Sequence, residues 1–128
     1  MFSIRMTQPF DAALLPAIEE SADRAFLIIP QLAWVATAGV ITAESHLSFI
    51  CNDYSIVAVD CSDIPAGFLI ARKFDVSMHI YGLAVREALQ GQGIGRSLLE
   101  HVIRDARDDG MVSITLTTFR DLSWNQYF

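Results

Sequence analysis

The spacing of apolar and polar positions changes period several times along this chain. Residues 3–7 alternate and predict a short first strand. Pro9 and Asp11 mark a turn and a helix N-cap, ahead of a helix over residues 12 to about 25. Leu14, Leu15, Ile18 and Ala22 would form its inner face, and Glu19, Glu20, Asp23 and Arg24 its wet side. Residues 27–40 are apolar and irregular, broken by Pro30 and Gly39. A second helix is expected after Thr42, running through Leu47, Ile50 and Cys51. The period then drops to two. Residues 54–60, rich in β-branched side chains, and residues 67–72 read as a hairpin around the turn cluster Ser62-Asp63-Ile64-Pro65-Ala66. Residues 77–85 read as a third strand, antiparallel to the second of that hairpin.

The strongest helical pattern follows. Ile94, Leu98, Leu99, Val102, Ile103 and Ala106 make one apolar stripe, with Arg96, Glu100, Arg104 and Asp108 on the other side. Glu100 and Arg104 are spaced for an i,i+4 pair, and Gly110 stands where a helix C-cap belongs. Residues 112–118 read as a last strand. The order is strand, helix, helix, three antiparallel strands, helix, strand. It predicts a mixed, mostly antiparallel α/β sheet flanked by helices, in a single domain over residues 1–128.

Composition narrows the class. With 52% hydrophobic residues in 128, the chain is apolar for its size, which suggests surface left for a second copy of itself. No apolar run is long enough to span a bilayer and the first residues lack a signal-peptide pattern, so a cytoplasmic protein with no membrane partner is expected. A net charge of −6 argues against nucleic acid, whose phosphates need Lys and Arg surfaces. Cys51 and Cys61 show no metal-ligand spacing, so no metal is expected. They read as buried free thiols of a reducing compartment, a disulfide being the lesser alternative.

The candidate chemistry lies at Gln90-Gly91-Gln92-Gly93-Ile94-Gly95-Arg96, between an apolar strand and the amphipathic helix. Alternate glycines let the backbone curl so that several N–H groups point one way. At a helix start these groups and the helix dipole suit a phosphate or pyrophosphate. A Walker A loop needs Gly-Lys-Ser/Thr, and this chain has Gly95-Arg96-Ser97. A dinucleotide fingerprint needs its third glycine one residue later. It also needs an acidic residue after the next strand, where Thr118 and Phe119 stand.

Gln90-x-x-Gly93-x-Gly95 resembles the Gln/Arg-x-x-Gly-x-Gly/Ala motif of the GNAT superfamily of acyl-CoA-dependent N-acetyltransferases. The resemblance extends to Leu83-Ala84-Val85 as the family's fourth strand, the helix after the loop as its third, and residues 112–119 as its fifth strand. It implies acetyl-CoA as cosubstrate and a primary amine of a small molecule or peptide as acceptor. The backbone of Leu83, Ala84 and Val85 would hold the pantetheine arm. The N–H groups of Gly91, Gln92, Gly93, Ile94, Gly95 and Arg96, with Gln90 opening the motif, would hold the pyrophosphate. Asn125 matches a position that touches pantetheine. The resemblance also implies a domain lacking the family's last helix and two strands, with a tyrosine acid one position past Phe128. The family's strand-four glutamate is replaced by Gly82. His79, Tyr81, Glu44 and His46 are the polar groups left as candidates for proton transfer. A CoA-binding module without turnover, or a nucleotide-binding regulatory domain, are the alternatives.

Overall fold

A computed structural model describes residues 1–23, 40–118 and 122–127, with the backbone alone for residues 116–118 and 122–127. The irregular apolar stretch and Trp34 lie outside these. Six strands form one sheet in chain order: β1 (Ser3–Met6), β2 (Tyr54–Val59), β3 (Pro65–Phe74), β4 (Ser77–Val85), β5 (Ser113–Thr118) and β6 (Leu122–Tyr127). All neighbours are antiparallel except β4 and β5, which run parallel because α3 (Ile94–Asp108) carries the chain back between them. The sixth strand extends the five expected from the sequence.

Helices cover both faces, which is why β2 is buried at every position. Ile56, Ala58, Leu69, Ala71, Met78, Ile80 and Ile114 pack under α3, against Ile94, Leu98, Val102 and Ala106. Val57, Val59, Phe68, Ile70 and Ala84 pack under α1 (Leu15–Asp23) and α2 (Ala43–Asn52), against Leu15, Ile18 and Phe49. Each fully buried Leu or Ile contributes roughly 1.5–3 kcal/mol, so the two stripes dictate which way each helix faces.

The N-terminal segment corrects the sequence reading. The chain enters α1 through a 3-10 helix over Pro9–Leu14, and Gln8, not Asp11, is its N-cap. Asp11 is buried and takes the reciprocal role: its carboxylate accepts from the Gln8 backbone N–H at 2.8 Å and from Arg5 at 2.8 and 3.1 Å. Arg5 also reaches Asp63 in the β2–β3 turn, and these two carboxylates hold its guanidinium charged more firmly than usual. Leu14 is exposed, and Ser21 takes a buried position on α1. Thr42 caps α2 as expected, accepting from Ser45 N–H at 3.1 Å. Cys51 and Cys61 are exposed rather than buried, one on the outer side of α2 and the other in the β2–β3 turn. Gly110, with φ of 80°, ends α3 as the sequence indicated.

Candidate functional site

The pairing of β4 with its neighbours sets up the site. On the β3 side, Ile70 pairs with Gly82 but Ala71 pairs with Ile80, so Tyr81 is an extra, bulged residue. The bulge reverses the side-chain alternation. Met78 and Ile80 face the α3 core, whereas Ala84 faces the α1/α2 core. On the other side, pairing with β5 runs from Ser77↔Ser113 to Ile80↔Leu116 and stops there. β5 continues to Thr118, paired with β6. Past the bulge, Leu83, Ala84 and Val85 pair with β3, and their other edge has no strand partner among the described residues. The two strands therefore part into a cleft whose wall is a strand edge with no partner strand among the described residues, able to take an extended ligand as a further strand.

The glycine loop stands at the top of this wall. Gly91 and Gly93 have φ of 84° and 83°, a region that side chains other than glycine's rarely adopt. Gly93 is the N-cap of α3, and no side chain caps it. The first helical bond is Ser97 N–H to Gly93 O at 3.0 Å. The N–H groups of Ile94, Gly95 and Arg96 precede that bond and lack intrahelical partners, as at every helix start. Gly95 is different from the other two. It is helical, and a Cβ there would meet only Val85 Cγ2 at 3.7 Å, an ordinary contact. Neither space within the protein nor backbone strain calls for glycine, so the close approach of a ligand is the remaining physical reason. Uncapped N–H groups, two left-handed glycines and one unforced glycine fit a pyrophosphate.

The other predicted loop residues take different parts. Gln90 donates its side-chain amide to the Val85 carbonyl at 3.0 Å, tying the loop to the end of β4. Gln92 is exposed. The Ile94 side chain is buried in the α3 core, which leaves only its N–H for a ligand. Arg96 is exposed and pairs with Glu100 at 3.4 Å. Asn125 pairs with Thr115 on β6, across β5 from the cleft, and its side chain is outside the described residues. Its expected contact with the pantetheine arm therefore stays a proposal.

The four proton-transfer candidates separate. His79 and Tyr81 share the α1/α2 face of β4, their rings 4.8 Å apart and edge to face, at the point where the strands part. His79 Nδ1 and Thr115 Oγ1 are 2.5 Å apart, and Ser77 and Ser113 hydroxyls 2.6 Å, so polar pairs line the parallel seam up to the opening. Glu44 is exposed on the first turn of α2. His46 is fully buried edge-on against Phe68, and neither ring nitrogen has a hydrogen-bond partner among the described residues. Burial lowers its pKa to about 4, so it is a neutral core residue at neutral pH. At Gly82, a Cβ would meet Ile70 at 3.1 Å and Ile41 at 3.3 Å, so a carboxylate side chain does not fit without repacking. Arg72 and Phe49 flank Tyr81 and were not picked out from the sequence, because only the fold brings them to it.

Parted strands above a bulge, with an uncapped glycine-led helix at their top, define a binder of a phosphorylated cosubstrate with an extended arm. The sequence matches the Acetyltransferase (GNAT) family over residues 16–126, and the chain belongs to that family. The fold is similar to that of the PaiA N-acetyltransferase from Thermoplasma acidophilum in complex with coenzyme A. There the TM-score is 0.77 at 15% identity, over 94% of this chain and 80% of that one. It is also similar to a GNAT family acetyltransferase from Brucella melitensis in complex with acetyl-CoA, with TM-score 0.72 at 18% identity, over 100% and 88% of the two chains. The ribosomal-protein-S18-alanine N-acetyltransferase from Escherichia coli gives 0.71 at 22% identity, over 91% and 66%. Acetyl-CoA is the family's cosubstrate. Among the described residues, no helix is long and apolar enough to cross a membrane, and no group of three or more His, Cys, Asp or Glu is placed to hold a metal ion.

Proposed function

We propose that this chain transfers an acetyl group from acetyl-CoA to a primary amine of a small molecule or peptide. The observation that carries this reading is the edge of β4 past Tyr81, which no described strand pairs, next to the uncapped glycine loop. Bound acetyl-CoA supplies the activated acyl group. The loop N–H groups from Gly91 to Arg96 hold the pyrophosphate, with Gly95 leaving room for it. The edge of residues 83–85 aligns the pantetheine arm and aims its end at the bulge. His79 and Tyr81 flank that point and are the groups placed to relay a proton from the incoming ammonium, directly or through water. Glu44 and His46 have no part in it, one standing on the exposed start of α2 and the other sealed in the core.

To this reading belong the finer expectations of the sequence: a cytoplasmic setting, a homodimer, and one GNAT-like domain. Binding without turnover is the second reading, and Gly82 favours it, because the family's glutamate is missing there and a side chain would press on Ile70 and Ile41. Release of free CoA thiol, followed with and without a panel of primary amines, separates the two. Amine-dependent release supports transfer, and binding with no release on any amine supports the module.

A further inference from the structure

The face of the sheet that carries His79 and Tyr81 also carries Arg72, which pairs with His79 across β3 and β4. Its guanidinium carbon lies 5.1 Å from the centre of the Phe49 ring and 5.3 Å from that of Tyr81. The two rings are 5.6 Å apart and tilted by 50°, so the cation rests over the notch between a helix residue and the bulged residue of β4. Asp53, at the end of α2, approaches Arg72 Nη2 at 3.3 Å, long for a charge-assisted bond. The Arg72 side chain keeps 40% of its surface exposed. Two rings and one loose carboxylate thus fix a planar fork of donors without using up its hydrogen bonds.

Resting on the acetyl-transfer reading, we infer that Arg72 binds a carboxylate of the acceptor, which is therefore a small amine that is also a carboxylic acid. Tyr81 links the two ends. It touches the guanidinium and stands where β4 leaves β5, so a small molecule held by Arg72 lies against the mouth of the cleft. The neighbouring Asp53 selects the anion. A planar monoanion can share the fork with it, whereas a phosphate dianion is repelled. Arg72 acts here as a specificity residue, and the proton relay lies elsewhere.

The test is steady-state acetylation of matched pairs: α-amino acids and 4-aminobutyrate against their carboxamides, with phosphoethanolamine as the phosphate control. Acetyl-CoA binding is measured in parallel by calorimetry. The acids are expected to show a KM lower by about ten- to hundredfold, the range of one charge-assisted hydrogen bond. Arg72→Met should erase that ratio by raising KM for the acids alone, with acetyl-CoA affinity unchanged. Asp53→Asn frees the fork and should lower KM for the acids severalfold, a gain that damage to the fold does not produce. Equal use of acids and carboxamides, preference for phosphoethanolamine, or equal loss on both members in Arg72→Met overturns the inference. So does a chain that binds acetyl-CoA and turns over no acid. Failure to bind acetyl-CoA is read separately, and it overturns the underlying reading and this inference with it.

Discussion

Replacing Gly95 by alanine separates what the protein needs from what its ligand needs. Gly95 lies in the first turn of α3, and its Cβ would sit 3.7 Å from Val85 Cγ2, an ordinary contact. Glycine in a helix costs up to about 1 kcal/mol relative to alanine, chiefly because alanine restricts the unfolded chain. Gly95→Ala should therefore leave the unfolding free energy unchanged or raise it by up to about 1 kcal/mol. On the proposed binding mode, however, the new methyl group would crowd the ligand at the uncapped N–H groups. Displacing one or two charge-assisted hydrogen bonds of roughly 1.5–3 kcal/mol each should weaken acetyl-CoA binding about tenfold to a hundredfold or more. Gly93→Ala is the control. Its φ of 83° makes a side chain cost roughly 1–2 kcal/mol, so this variant should lose stability as well as affinity. Denaturant unfolding and calorimetric titration of the three proteins give both quantities. A Gly95→Ala variant that binds acetyl-CoA as tightly as the parent would refute the reasoning, and so would one that is destabilised like Gly93→Ala.

Three further outcomes follow from the geometry. His46 titrates near 6.5 when unfolded and near 4 when folded, so its contribution of roughly 3 kcal/mol is complete above pH 6.5 and is lost as pH falls toward 4. His46→Leu should flatten that part of a stability-against-pH curve, and an unchanged curve would show that His46 is not buried neutral. Gly67→Ala forces a Cβ to 2.9 Å from the Ala84 carbonyl oxygen, so it should cost about 1–3 kcal/mol by denaturant unfolding, and a neutral result would mean that β3 and β4 lie further apart. A solution mass from light scattering tests the homodimer: twice the chain mass supports it, and a monomer at all concentrations counts against it.

Much of this architecture was legible in the sequence because the signals are local. The stripe from Ile94 to Ala106, the β-branched runs around the Asp60–Pro65 turn, and Thr42 as a cap each carry their structure in neighbouring residues. The glycine loop was legible for the same reason, since positive φ and an open helix start are properties of a few consecutive residues. The bulge at Tyr81 was not. It comes from the register between β3 and β4, and the pattern Met78, Ile80, Ala84 reads as continuous alternation although the last residue faces the other core. The roles of Asp11, His46 and Arg72 depend on partners far along the chain or on depth in the core, which spacing does not encode. Asn125 was matched through the resemblance alone, and its backbone pairs with Thr115 in β5.

The most direct test of the central claim is a calorimetric titration of this chain with acetyl-CoA, with ATP and NAD as controls. Saturable binding of acetyl-CoA, with no comparable binding of either control, is the expected result, because the parted strand edge and the glycine loop together match a pantetheine joined to a pyrophosphate. A chain shown by circular dichroism to be folded that binds no acetyl-CoA, or that prefers ATP or NAD, would contradict the account.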